Sequence, residues 1–193
     1  MPVGADPAAA AQAFGFPLVL KGIVPGIAHK TEHGLVCVGL NSASAVREAA
    51  AAMRKKVPGL TGFAVQPLLG EGIEMIVGVK AEAKVGAVVL LGFGGIYAEA
   101  MGAPAVEAAP FSRAAAESMI DRVDRKGILR GYRTGRPYAR DQLAELLVAV
   151  GRLAGDERRR VAEIDLNPVI VRPGGVAAVD WLVVLRATME AAR

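Results

Sequence analysis

Lys21 closes the apolar segment Gly15-Phe-Pro-Leu-Val-Leu-Lys21, and eight residues later the loop Gly22–Gly34 carries His29 and Lys30. A fixed ammonium near an imidazole on a turn-rich loop supplies a phosphate contact and a nitrogen nucleophile, the two groups that phosphoryl transfer needs. The commoner role for each residue alone is a strand-end lysine reaching solvent and an ordinary loop histidine. A second candidate lies near the C-terminus. Glu163-Ile-Asp165-Leu-Asn167-Pro168 sets three polar side chains on one face of a strand, because alternate residues point the same way. Asp180 lies in an apolar run, Ala-Ala-Val-Asp-Trp-Leu-Val-Val-Leu, on the returning strand, where it can approach Asn167. Few oxygen ligands from paired strands suit Mg²⁺, which completes its shell with water and phosphate. The competing reading is a solvated outer strand face. A carboxylate flanked so heavily by apolar residues, however, needs a partner.

Leu91-Gly-Phe-Gly94-Gly95-Ile96 follows a strand and would let backbone N–H groups approach a phosphate, although a plain turn is the commoner explanation. Glu99 follows closely. Arg130, Arg133 and Arg136 surround Tyr132 in a segment able to hold a phosphate or an acidic partner, with solvated arginines the preferred reading. Arg158-Arg-Arg160 reads as a solvated turn.

The elements that must position these groups follow from pattern. Asp6-Pro7 starts a helix to Phe14, with Asp as N-cap and Pro at the first position. Strands are expected over Pro17–Val24, Leu35–Leu40 and Phe63–Leu68, the last carrying Pro67 and so suited to a sheet edge. A helix capped by Asn41 or Ser42 spans Ala43–Lys56, its basic last turn complementing the helix dipole. Ile73–Lys80 and Val85–Phe93 are joined by a hairpin-length link and are therefore antiparallel. A short strand over Ala105–Ala109, helices over Ser112–Val123 and Asp141–Ala154, and a terminal hairpin of Val161–Val171 with Val176–Leu185 complete the chain. Hairpin-linked strands with grouped helices indicate an α+β fold.

The 193 residues suffice for one domain or two small lobes. The 53% hydrophobic content, with only 5% aromatic, excludes a disordered chain and calls for a core of Val, Leu, Ile and Ala. A net charge of +4 suits an anionic ligand such as a nucleotide or coenzyme A, and is too mild to demand nucleic acid. No stretch reaches the roughly 18 apolar residues of a membrane span. No signal segment is apparent, so a cytoplasmic location is the default expectation. Cys37, the single cysteine, excludes a disulfide framework and reads as a buried strand thiol.

Taken in order, these segments resemble the ATP-grasp domain of ADP-forming (NDP-forming) acyl-CoA synthetases, relatives of the succinyl-CoA synthetase β subunit. The matching stretches are Gly15–Lys21, Ile27-Ala-His29-Lys30-Thr-Glu, Val65-Gln66-Pro67, Gly72-Ile-Glu74 with Val77-Gly78-Val79, Leu91–Ile96 with Glu99, Leu129-Arg-Gly-Tyr-Arg133, and Glu163–Pro168 with Asp180. The resemblance implies two lobes, residues 1–66 and 67–193, around a nucleotide cleft. Lys21 would contact the phosphates of ATP or ADP, and Gln66, Pro67 and Leu68 would form the hinge at the adenine. Gly94, Gly95 and Glu99 would line the same site, and Asn167 and Asp180 would bind Mg²⁺. His29 would carry the phosphoryl group in acyl-CoA + ADP + phosphate = carboxylate + CoA + ATP. A CoA-binding or CoA-ligase subunit or domain would be the partner and would bring the acyl substrate, and a homo-oligomer is compatible with the pattern. Family members place a helix and a strand ahead of the segment matching Asp6–Gly15, so the small lobe is expected to be truncated at its N-terminus. Ala81-Glu-Ala-Lys-Val-Gly86 stands where the family has an Asp-Pro-x-Phe-Gly type turn, which motivates a second reading, a non-catalytic ATP-binding regulatory module. A third is another ATP-grasp ligase that forms an acyl phosphate without a histidine.

Overall fold

The computed structural model describes residues 1–186 apart from 28–29, 31–32, 83, 85, 99–100, 133–134 and 157–159. The chain divides into two compact units, Met1–Gly70 and Glu71–Arg193. The expected lobe boundary at 66/67 falls inside a strand that runs to Pro67, and the N–H of the following Leu68 still donates to Pro17 O within the first unit, at 2.9 Å.

In the first unit, helix α1 (Pro7–Phe14) begins where Asp6 accepts from the N–H of Ala8 at 3.0 Å. Helix α2 (Ala43–Lys56) is capped by Ser42, which accepts from Ala45 N–H. Strands β1 (Leu18–Ile23), β2 (Val36–Leu40) and β3 (Gly62–Pro67) form an antiparallel sheet in the order β2-β1-β3. β3 is therefore an edge of this sheet, and Pro67 ends it, as the proline required. Leu18, Leu20 and Phe63 are fully buried with Val46, Ala50 and Met53 of α2, giving this unit its core. Cys37 is half-buried rather than buried, because β2 is the sheet's other edge.

The second unit is built on strands β4 (Ile73–Glu82), β5 (Gly86–Phe93), β6 (Ala105–Ala108), β7 (Val161–Arg172), β8 (Gly175–Ala178) and β9 (Trp181–Leu185). All pairings are antiparallel, in the order β6-β5-β4-β7-β8, with β9 also on β7. Helices α3 (Arg113–Val123) and α4 (Arg140–Gly155) cover one face. Alternation decides which side chains they bury. Met75, Val77, Val79, Val89 and Leu91 sit under the helices with Met119, Leu143 and Leu147, whereas Ile76, Gly78, Lys80, Val88 and Leu90 line a hollow of about 410 Å³ on the open face. The two sheets with their helices confirm the expected α+β architecture.

A buried carboxylate braces one end of this unit. Asp124, whose side chain has no exposed surface, accepts from Leu129 N–H at 3.2 and 3.1 Å and from Arg140 Nη1 at 3.2 Å. Arg140 also donates to Asp121 at 2.6 Å, and so does Arg130 at 2.8 Å. Arg130 thus has an acidic partner within its own fold. Gly131, at φ 84, lies so close to Arg136 that a β-carbon would stand 2.6 Å from its backbone. Among the described residues, no helix is long and apolar enough to cross a membrane.

Candidate functional site

The return strand of the terminal hairpin comes as two pieces that keep one register as far as Val184. Val169 pairs with Ala178 and Leu166 with Trp181, which sets Asn167 and Pro168 opposite Val179 and Asp180. The Asn167 N–H donates to Asp180 O at 3.2 Å, and Val179 N–H donates to Pro168 O at 3.0 Å. Toward β4 the register slips at the same place: Met75 faces Val169, yet Val77 faces Leu166. Two residues of β7 therefore oppose Ile76 alone. This is a β-bulge, a device that re-aims side chains beside functional sites. It also explains how Pro168, which has no N–H, is accommodated in a central strand.

The register on the β8–β9 side sets the expected pair opposite one another, beside the bulge. Asn167 is exposed, and Asp180 is half-buried with Oδ1 accepting from Trp181 N–H at 3.0 Å. A carboxylate and an amide oxygen facing each other across one rung offer two hard donors of the kind Mg²⁺ takes. Among the described residues there is no cluster of three or more His, Cys, Asp or Glu able to hold a metal. The donor set thus suits an ion that keeps most of its shell for phosphate and water, and not a closed structural site.

Lys21 departs from the solvent-reaching reading. It is only 8% exposed. Leu20 beside it belongs to the core under α2, so alternation turns Lys21 to the opposite face of the sheet. Lysine is seldom so buried without a polar partner. In the register of β1 with β3, Lys21 faces Ala64 and Val19 faces Gln66, so Lys21 and Gln66 lie on the same face of neighbouring strands. Gln66 and Pro67 end β3, and Leu68 follows directly.

Gly94 and Gly95 leave β5 into a short 3₁₀ turn, Gly95–Tyr97. The Gly94 N–H donates to Glu74 O at 2.8 Å. A β-carbon on Gly95, at φ 54, would stand 2.6 Å from Glu74 Oε2. The two glycines thus hold a bare turn against a carboxylate on the open face, a contact that no single motif announced. His29 and Glu99 lie outside the described residues.

Against this geometry, residues 4–185 match the ATP-grasp domain family. The chain belongs to the ATP-grasp domain family, in the form found in ADP-forming acetyl-CoA synthetases. Over 180 residues it is 36% identical to acetate–CoA ligase [ADP-forming] I of Archaeoglobus fulgidus, an alignment covering 91% of this chain and 26% of that protein. It is 31% identical over 177 residues to the β subunit of acetate–CoA ligase [ADP-forming] I of Pyrococcus furiosus, covering 89% of this chain and 76% of that subunit. Among solved structures, the dinucleotide-forming acetyl-coenzyme A synthetase 1 of Ca. Korarchaeum cryptofilum superposes with a TM-score of 0.79 at 34% identity, covering 93% of this chain and 81% of that one. That structure holds coenzyme A and Mg-AMPPCP, with its phosphohistidine segment pointing towards the nucleotide-binding site. The chain spans about a quarter of the length of the first curated relative it matches.

Proposed function

We propose that this chain is the nucleotide-binding, phosphoryl-transferring part of an ADP-forming acyl-CoA synthetase. The observation that carries the reading is the Asn167–Asp180 pair at the β7 bulge, in a chain of the ATP-grasp family. Asn167 and Asp180 hold the metal, and when bound Mg²⁺ draws negative charge from the phosphate oxygens. The buried ammonium of Lys21 serves the same phosphates, a fixed cation that needs no reorganisation as charge shifts. Gln66, Pro67 and Leu68 meet the base, with Gly94, Gly95 and Glu99 at the margin of the site. His29 is the phosphoryl carrier: as the N–P bond of its phosphorylated ring breaks, a terminal phosphate oxygen of ADP takes the phosphoryl group and ATP forms. A neutral imidazole near pH 7 can run this step in either direction.

The acyl substrate and coenzyme A are handled by a CoA-binding partner subunit or domain. The β-subunit naming of the Pyrococcus furiosus relative supports a separate partner. The complex works in the cytoplasm, without nucleic acid, and a homo-oligomer of the chain is compatible with it.

Incubation with Mg²⁺ and γ-labelled ATP tests the reading. Acid-labile label on the protein, lost in His29→Ala, is the expected result. Label that persists in the variant removes His29 from the chemistry. ATP-dependent thermal stabilisation without any label would favour the non-catalytic binding module instead.

A further inference from the structure

Arg172 ends β7, and nothing described so far uses its side chain. Among the described residues, its Nε is the one buried side-chain polar atom that lacks a hydrogen-bond partner. Gly72 sets its position, since a β-carbon there would stand 2.6 Å from Ile170 Cγ2 and 2.8 Å from Arg172 Cγ. Glycine therefore lets the arginine stem lie across the start of β4. Ile73 faces Val171 and Met75 faces Val169, all four buried under the helices. Alternation then turns Ile170 and Arg172 to the open face, the face of Glu74 and, past the bulge, of Asn167. A guanidinium cannot shed its charge by losing a proton, so a buried N–H of this kind calls for an acceptor that the described residues do not supply.

We propose that Arg172 is a nucleotide-binding residue whose Nε–H donates to an acceptor atom on the nucleoside part of the bound nucleotide. The assignment rests on the nucleotide-binding reading above. About five residues of strand separate Arg172 from Asn167, roughly 16 Å at about 3.3 Å per residue. A triphosphate anchored at Asn167 and Asp180 therefore reaches Arg172 only through its sugar and base. The planar guanidinium also offers a face on which a purine ring can stack.

Titration calorimetry of the full chain with MgATP and with magnesium tripolyphosphate tests this, together with the thermal midpoint of the free protein. Arg172→Met should weaken MgATP binding at least about tenfold, the loss of one hydrogen bond to a charged group. Tripolyphosphate affinity should be unchanged, and the free protein's midpoint should hold or rise, because an unsatisfied buried donor has been removed. Arg172→Gln, which keeps an N–H donor, should lose less. MgATP affinity within twofold of wild type in Arg172→Met overturns the assignment, as does an equal loss for tripolyphosphate. So does a fall in midpoint with affinity intact, the mark of a packing role. Wild-type protein that binds neither ligand overturns the underlying nucleotide reading, an outcome distinct from failure of the Arg172 assignment alone.

Discussion

Asn167 and Asp180 are joined by a backbone hydrogen bond of 3.2 Å, so the two side chains proposed to hold the metal leave β7 and the β8–β9 link opposite one another. Asn167 belongs to β7, and Asp180 stands in the two-residue link between β8 and β9, held there by this bond and by the one its Oδ1 accepts from Trp181 N–H. Asp180→Asn keeps an oxygen to accept from Trp181 N–H while removing the charge. It should weaken Mg²⁺-dependent ATP binding at least about tenfold. Titration with and without Mg²⁺ checks this, and unchanged Mg²⁺ dependence would place the ion elsewhere.

Gly95 should not accept a side chain. Its φ of 54 and the Glu74 carboxylate beside it make Gly95→Ala both strained and crowded. A loss of about 1–3 kcal/mol is expected. In Gly95→Ala/Glu74→Ala the crowding part should disappear and the conformational part remain. Urea unfolding of wild type, Gly95→Ala, Glu74→Ala and the double variant separates the two contributions.

Asp124→Ala should be among the more damaging substitutions in the second unit. It strands the Leu129 N–H and leaves Arg140 with only the exposed Asp121. Removing one member of a buried charge pair costs about 3–5 kcal/mol. Chemical denaturation would read it directly, and a cost below about 1 kcal/mol would mean that water reaches this carboxylate site.

Acid should loosen the same network from its outer side. The hydrogen bond from Arg140 is the main influence holding the Asp121 carboxyl below its ordinary range, with Arg130 adding to it. A carboxyl lowered in the folded state stabilises above its unfolded value of about 3.9, and that contribution disappears as pH falls through the lowered one. The stability gap between wild type and Asp121→Asn should thus be widest near neutrality and shrink below about pH 4. Half-exposed as Asp121 is, the gap should be modest, and a gap that widened in acid would contradict the assignment.

Local signals carried most of the architecture. Asp6-Pro7, Ser42 and Ser112 each cap the helix that their side chains announced. The helix from Ala43 to about Lys56 was readable, with its cap narrowed to Asn41 or Ser42, because the cap and the basic last turn bracket an apolar stripe. What stayed hidden depended on partners distant in sequence. Lys21 looked like a strand-end cation because its burial depends on which face α2 covers. The bulge left a trace, since Ile164 and Leu166 alternate in one phase and Val169 and Val171 in the other, with Pro168 between. That trace acquires meaning only once β4 is known to pair there. Arg172 gave no sign, because nothing in its neighbourhood along the chain marks an unsatisfied donor.

The rung count that runs without a slip from Arg172–Gly175 to Glu163–Val184 limits how this segment can drift over evolution. Lengthening the tip at Pro173–Gly174 leaves every later rung unchanged. One residue gained between Ala178 and Trp181 would turn the last strand over, swapping its inner and outer sides and carrying the aspartate away from its asparagine. Natural length variation should therefore gather at the tip and be purged two rungs below it.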